Sequence, residues 1–188
     1  IVDQVTNFSE QLGVSRAAAL GIYQQSLLIT TAENNRYATT EDTLDVLKSH
    51  KEMYGRILDL TVESNKEAVK FASEMATAFG TTSGAVHTLS QTFQQMGADQ
   101  SLSENLIVAT AAAADLSHIS FDTITKDLVE GADVVARHYS GLPRMAAAAA
   151  LETRRLGMSL KDAGELMDKT LNPKDFMSGI AEMNAMSR

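Results

Sequence analysis

The chain has 188 residues, of which 44% are hydrophobic and 5% aromatic, with two prolines and no cysteine. It is long and apolar enough for one sizeable core or an extended array of helices, and it lacks the β-branched and aromatic runs that favour a sheet. The net charge of −8 argues against specific nucleic-acid binding, and the absence of cysteine excludes disulfides, thiolate metal sites and cysteine nucleophiles.

The charge is unevenly distributed along the chain. Residues 1–136 carry 8 basic and 18 acidic side chains, a net charge of −10, whereas residues 137–188 carry 8 basic and 6 acidic side chains, a net charge of +2. This asymmetry indicates that the C-terminal part docks an acidic partner, and an ordinary scatter of surface charge is the alternative.

The two ends of the sequence resemble the ends of a fragment. The N-terminus has neither an initiator methionine nor a signal sequence, and Arg188 lies within what reads as a helix, so we expect a longer protein. The longest apolar run, Leu106 to Ala114, is shorter than the roughly 20 residues that span a bilayer. We therefore expect no stable membrane insertion by this segment.

The first elements in chain order are two short helices. Apolar residues at a spacing of three and four predict a helix over residues 2–12, which Gly13 ends. Ser15 is then placed to cap a second helix that ends near residue 29.

One long helix is predicted over residues 41–79. Thr40-Glu41-Asp42-Thr43 resembles a capping box, and a frame from Leu44 to Phe79 alternates steps of three and four without a break. Polar positions such as Asn65 interrupt this frame. A supercoiled seam and a plain amphipathic bundle helix therefore both remain open.

Alanine-rich helices with small-residue corners follow. Phe79-Gly80 repeats the arrangement of Leu12-Gly13, and helices are predicted to open near Ser83, Ser101 and Ser120. The sequence thus predicts an all-α protein, an extended array or bundle of about seven to nine helices joined by Gly-x-Ser/Thr corners. We divide it into a helical segment over 1–96 and an alanine-rich helical segment over 97–188.

The stretch from Leu142 to Leu171 carries the sharpest local signals. Pro143 is tolerated in a first helical turn, and five consecutive alanines after Met145 allow close approach to a neighbouring helix. Gly157 is predicted to take the left-handed conformation, with Ser159 and Asp162 capping the next helix.

Catalytic and metal-binding patterns are missing. There is no GxSxG elbow, no glycine-rich phosphate loop and no HExxH pair. Glu63-Ser64 matches only the opening of the lytic transglycosylase motif. The sequence therefore predicts no catalytic residue, no cofactor and no metal, and it gives a surface or helix-end role to each histidine: His50, His87, His118 and His138.

The segment from Ala149 to Leu160 resembles the tail tape measure proteins of contractile-tailed bacteriophages. The resemblance rests on its Arg-Leu-Gly-Met-Ser-Leu motif and on the leucines at 166 and 171. Members of that family often join an alanine-rich helix to a leucine-bearing helix through such a corner. The chain departs from the family pattern at Asn172 to Phe176.

The resemblance implies a structural virion protein that limits tail length. Such a protein assembles in the bacterial host cytoplasm and lies in the tail lumen, anchored at the baseplate hub, until it is released during DNA ejection. Its partners would be copies of itself, with a trimer favoured over a hexamer, and tail tube and hub proteins. A helical platform or adaptor of a peptidoglycan-acting or other multi-subunit assembly is the alternative. The expected interface residues are Leu142, Arg144, Ala147, Leu151, Arg154, Arg155, Leu156, Gly157, Met158, Leu160 and Leu171.

Overall fold

The computed structural model describes residues 1–33 and 35–171, and of 169–171 the backbone alone. All regular structure in this part of the chain is α-helical, which confirms the predicted fold class. Because two predicted segments each form two helices, the described residues contain ten. They are α1 (Val2–Leu12), α2 (Arg16–Thr30), α3 (Thr40–Tyr54), α4 (Glu63–Phe79), α5 (Ser83–Gln95), α6 (Gln100–Leu116), α7 (Phe121–Glu130), α8 (Ala132–His138), α9 (Pro143–Arg155) and α10 (Leu160–Leu171).

The prediction of a single long helix over residues 41–79 is wrong. Gly55 ends α3 in the left-handed conformation, with a φ of 70°, and α4 begins only at Glu63. In the loop between them Asp59 accepts hydrogen bonds from the backbone N–H and the hydroxyl of Thr61, at 2.9 and 2.7 Å. The alternating apolar spacing continues through this loop, but the chain reverses there so that α3 and α4 pack together.

Helix α5 is the centre of the fold. It packs against α3, α4, α6 and α7, and most of its side chains are buried. A helix that is covered on so many sides must pair its polar groups with neighbouring helices. The buried residues of α5 are Ser83, Gly84, Val86, His87, Leu89, Ser90, Thr92 and Phe93.

Two carboxylates of α3 hold the N-terminus of α5. The Ser83 hydroxyl donates to Asp42 Oδ1 at 2.6 Å, and the backbone N–H of Gly84 donates to Asp45 Oδ2 at 2.7 Å. Negative charge at a helix N-terminus is stabilising because the first N–H groups have no partner within the helix. The contact fixes the register of α3 against α5.

One kind of corner joins most consecutive helices. A residue with positive φ closes one helix, and the residue two positions later caps the next helix with its side-chain oxygen. We call this arrangement an αL corner. It occurs at Gly13/Ser15, Gly80/Thr82, Gly97/Asp99, His118/Ser120 and Gly157/Ser159.

Two helix starts differ in detail from the predicted ones. Helix α6 begins at Gln100 because Asp99 accepts the N–H of Leu102, so the predicted opening near Ser101 is one residue late. The capping box of α3 is formed by Thr39 and Asp42, one residue before the predicted start. Helix α5 begins at Ser83, as predicted, and its cap is Thr82.

The buried core is continuous across the predicted boundary at residue 97. Gly97 lies in the αL corner between α5 and α6, and both helices contribute to one cluster that extends from Val5 to Leu160. At its C-terminal side α10 packs against α7, α8 and α9. No helix among the described residues has the length and apolar character needed to cross a membrane.

We predict that Gly84→Ala destabilises the fold. A Cβ at residue 84 would lie 3.0 Å from the backbone oxygen of Asp45, which cannot move without separating α3 from α5. The expected loss is about 1–3 kcal/mol of the free energy of unfolding, measured by urea titration. Gly21→Ala is the matched control, because a Cβ there meets nothing within 4 Å and adds helix propensity. Equal effects of the two substitutions would contradict the close approach.

Candidate functional site

The corner between α9 and α10 has the predicted geometry. Gly157 has a φ of 77°, and the N–H of Met158 donates to the carbonyl of Thr153 at 2.9 Å. The Ser159 hydroxyl accepts from the N–H of Asp162 at 3.0 Å, and the Asp162 carboxylate accepts from the N–H of Ser159 at 3.1 Å. These bonds satisfy both helix ends within the corner itself.

The expected interface residues separate into an exposed and a buried group. The side chain of Leu171 lies outside the part of the chain that the structure describes. Three residues, Ala147, Leu151 and Leu160, are at most 8% exposed and belong to the core. The residues that face solvent, fully or in part, are Leu142, Arg144, Arg154, Arg155, Leu156, Gly157 and Met158.

A shallow groove of about 450 Å³ runs between α6 and α9. Small side chains form much of its floor, because the alanines that the sequence places here let the two helices approach closely. Three expected interface residues line this α6–α9 groove. Its walls are formed by Leu102, Asn105, Leu106, Ala109, Thr110, Arg144, Ala147, Ala148 and Leu151.

Large apolar side chains on α6 and α9, and at the ends of these helices, are also exposed. Leu116 at the end of α6 is 83% exposed, and Leu156 after α9 is 72% exposed. Val108, Leu142 and Met145 are each about half exposed. These side chains and the groove belong to the same two helices, and we call them together the α6–α9 surface; several exposed apolar side chains on one pair of helices are typical of a protein-binding face.

The sequence suggested that Arg154 meets an acidic partner, but in the structure its guanidinium is already paired within the chain. Its guanidinium binds Asp127 of α7 with two hydrogen bonds, Nε to Oδ2 at 2.5 Å and Nη2 to Oδ1 at 2.6 Å. The Asp127 side chain is only 3% exposed. The hydrogen bonds to that carboxylate raise the pKa of Arg154, and the pair fastens α9 to α7.

The two other arginines of α9 face solvent. Arg155 donates to Glu152 at 2.5 Å and to the hydroxyl of Ser117 at 2.6 Å, so it links the ends of α9 and α6. Arg144 at the edge of the α6–α9 groove has no ion-pair partner among the described residues. Of the three basic residues expected to contact a partner, Arg144 is therefore the most accessible.

The surface or helix-end role expected for His50 and His87 is wrong, because the structure buries both side chains and brings them together. His50 lies on α3 and His87 on α5, and His50 Nδ1 is 3.1 Å from His87 Nε2. One ring donates an N–H and the other accepts it, so at least one ring is neutral. The Tyr54 ring lies 4.7 Å from the His50 ring, centroid to centroid.

Burial determines the protonation state of this pair. Loss of solvent, and to a smaller extent the neighbouring His50, lower the pKa of His87 to about 4. Burial and then the charge of Arg56 lower the pKa of His50. No group of three or more histidine, aspartate or glutamate side chains in the described residues is arranged to hold a metal ion. The pair is thus a buried hydrogen bond between the two helices.

Glu63, the residue that matched the opening of the transglycosylase motif, has an unsuitable environment for a general acid. It lies in the exposed first turn of α4 and accepts a hydrogen bond from Lys66 at 2.9 Å. That bond lowers the pKa of the Glu63 carboxyl. A general acid needs the opposite shift.

Comparison with protein-family models, with the curated proteins and with the solved structures finds no match to this chain.

We predict that Arg154→Ala and Arg155→Ala have unequal effects on stability. Loss of Arg154 leaves Asp127 buried and unpaired, which costs about 3–5 kcal/mol. Loss of Arg155 breaks an exposed pair with Glu152 and costs less than about 1 kcal/mol. Urea unfolding followed by circular dichroism measures both values, and similar losses would contradict the role of the buried pair.

We predict that stability falls as the pH drops below 6.5. The folded pKa of His87 is about 4, so below pH 6.5 the unfolded chain binds a proton that the folded chain does not. The contribution of neutral His87 to stability is fully present above pH 6.5. Between pH 6.5 and pH 4 this residue alone lowers the free energy of unfolding by about 1.4 kcal/mol per pH unit.

The pH prediction has a matched pair of variants. His87→Asn is expected to flatten the fall in unfolding free energy between pH 6.5 and about 5, where carboxylates titrate little. His118→Asn removes an exposed histidine at a φ of 56°, a conformation that asparagine tolerates, and should retain the fall. An unchanged slope in His87→Asn would contradict the prediction.

Proposed function

We propose that this chain is a structural segment of a phage tail tape measure protein, assembled with copies of itself and anchored at the baseplate hub inside the tail tube. The observation that carries the proposal is the α6–α9 surface, which ends in the corner around Gly157. That corner contains the sequence motif that resembles the tape measure family. A surface built for packing coincides here with the segment that resembles an assembly protein.

The exposed apolar residues support an assembled state. Leu116, Met145 and Leu156 each expose more than half of their surface in the isolated chain. Covering such side chains contributes about 25 cal/mol per Å² of apolar area, so a chain with this surface gains free energy from association. A structural role needs such surfaces and no chemistry.

The charge distribution supports a location beside moving DNA. With a net charge of −8, the chain repels a phosphate backbone, and a lining of this kind does not retain DNA during ejection. The accessible Arg144 beside the groove fits an acidic neighbour in the tube or the hub.

The alternative, a helical platform or adaptor in a peptidoglycan-acting or other multi-subunit assembly, uses the same surface. It differs in its partner, which would be a different protein instead of a copy of this chain. The lowered pKa of Glu63 gives the segment no general acid at that residue, so in this alternative the catalytic residues belong to another part of the assembly.

Deletion of the reading frame in the encoding phage genome tests the proposal. We expect tails that are absent or of variable length, because nothing then limits tube polymerisation, and electron microscopy of purified particles measures this. Antibody against the segment should detect it in disrupted particles before DNA ejection and not in particles whose tubes have emptied. Tails of normal, uniform length after the deletion would overturn the proposal.

Point variants connect the α6–α9 surface to this role. Met145→Glu places a charge on the surface and should prevent incorporation of the protein into tails, measured by mass spectrometry of purified particles. Val62→Glu is the matched control, since Val62 is exposed to a similar extent in the loop before α4. Normal incorporation of Met145→Glu would exclude this surface as the assembly contact.

A further inference from the structure

Helix α2 has a second apolar face that the fold does not use. Its inner face packs on α1 and α3 through Ala19, Tyr23, Ser26 and Ile29. On the opposite side Leu20 is 41% exposed and Leu28 is 59% exposed. No charged residue occurs between Arg16 and Glu33 in a chain whose net charge is −8. An uncharged outer face on such a chain calls for an explanation.

The exposed residues of this face are spaced as in a helix–helix seam. Steps of three and four connect them, which keeps them within one stripe along the helix. We call them the α2 seam. Its members are Ala17, Leu20, Gln24, Leu28 and Thr31, all exposed.

The α2 seam is symmetric about its central residue. Reversal of the helix direction around Gln24 exchanges Leu20 with Leu28 and Ala17 with Thr31. A two-fold contact repeats each pair of residue i with residue j as j with i, so this pattern places leucine opposite leucine on both sides of the axis. The side-chain amide of Gln24 both donates and accepts hydrogen bonds, so it can pair with itself on the axis.

We propose that α2 binds α2 of a second copy in an antiparallel arrangement, across a two-fold axis at Gln24. Leu20 of each copy then packs against Leu28 of the other. The inference stands on α2 alone and does not rest on the proposed function.

The charges at the two ends of the seam favour a second copy of this chain as the partner, in the antiparallel direction. In the antiparallel arrangement Arg16, which donates to the Thr6 hydroxyl of α1 at 3.0 Å, comes near Glu33 just beyond α2 of the other copy, giving two opposite-charge contacts at the edges. A parallel arrangement instead places Arg16 beside Arg16 and Glu33 beside Glu33. The long uncharged stretch between these residues lets two acidic chains approach without repulsion.

A groove beside the seam enlarges the contact. It has a volume of about 430 Å³ and lies between α2 and the loop before α4, with Gly21, Ile22, Ile57 and Leu58 among its lining residues. Gly21 has no side chain and lies next to Leu20, so the larger Leu28 of a second copy has room at this position. Small residues opposite large ones are what close helix packing requires.

Cysteine cross-linking tests the arrangement directly, because the chain has no cysteine of its own. Ala17→Cys and Thr31→Cys proteins are mixed and treated with a bismaleimide much shorter than the about 21 Å that separates two residues 17 in an antiparallel pair. We expect cross-linked dimers in the mixture and none with either protein alone. Cross-linking of the single variants would overturn the antiparallel direction, and no cross-linking anywhere would overturn the pairing.

Sedimentation of charge variants tests the same contact without a reagent. Leu28→Glu should weaken self-association of the purified chain by at least about tenfold, whereas Leu116→Glu on the α6–α9 surface should leave the α2 contact unchanged. Both side chains are exposed, so neither substitution disturbs the core. Equal association of Leu28→Glu and the parent chain would contradict the proposal.

A charge exchange completes the test. Arg16→Glu is expected to weaken the dimer, and addition of Glu33→Arg in the same chain is expected to restore it. Failure of the double variant to recover would overturn the antiparallel contact between the two ends. Because all these measurements use the purified chain, their failure leaves the tail-length experiment unaffected.

Discussion

The burial of α5 is the constraint on which the rest of the fold depends. A helix covered by four others must have its buried polar groups paired, and here several of the partners come from the helices that surround it. His87 pairs with His50 of α3, and the Ser103 hydroxyl of α6 donates to the Ser90 carbonyl at 2.8 Å. Thr81, just before α5, donates to Asp122 of α7 at 3.0 Å. These directional bonds select one register for each neighbouring helix, which apolar packing alone does not do.

Local signals in the sequence located many of the helix ends, and they were insufficient for contacts between helices. Gly13, Gly80 and Gly157 predicted three αL corners. The corner at Gly97 differs because its cap is an aspartate, and the corner at His118 differs because a non-glycine residue has the positive φ. The break at Gly55 was missed because the apolar spacing continues through the loop. The pairing of His50 with His87 depends on how α3 lies on α5, and no periodicity within either helix encodes it.

The candidate surface was predicted in the same partial way. The Gly157 corner has the predicted geometry, but several residues of α9 face inward, which the sequence did not indicate. The sequence indicates a surface cation at Arg154, but α7 places the buried Asp127 opposite it, so its guanidinium is paired within the chain. Leu156 and Arg144 remain available because nothing in the described chain packs over them. Exposure is a property of the assembled helices, so sequence spacing alone does not give it.

The αL corners also bear on how the chain reaches its structure. Each corner is closed by hydrogen bonds between residues at most five positions apart, such as Met158 to Thr153 and Ala98 to Phe93. Many helix contacts join neighbours in the chain, including α1 with α2 and α5 with α6. Contacts between neighbouring helices form early, so α1 and α2 can pair as soon as both have left the ribosome. The inner apolar face of α2 is thus exposed for only a short time during synthesis.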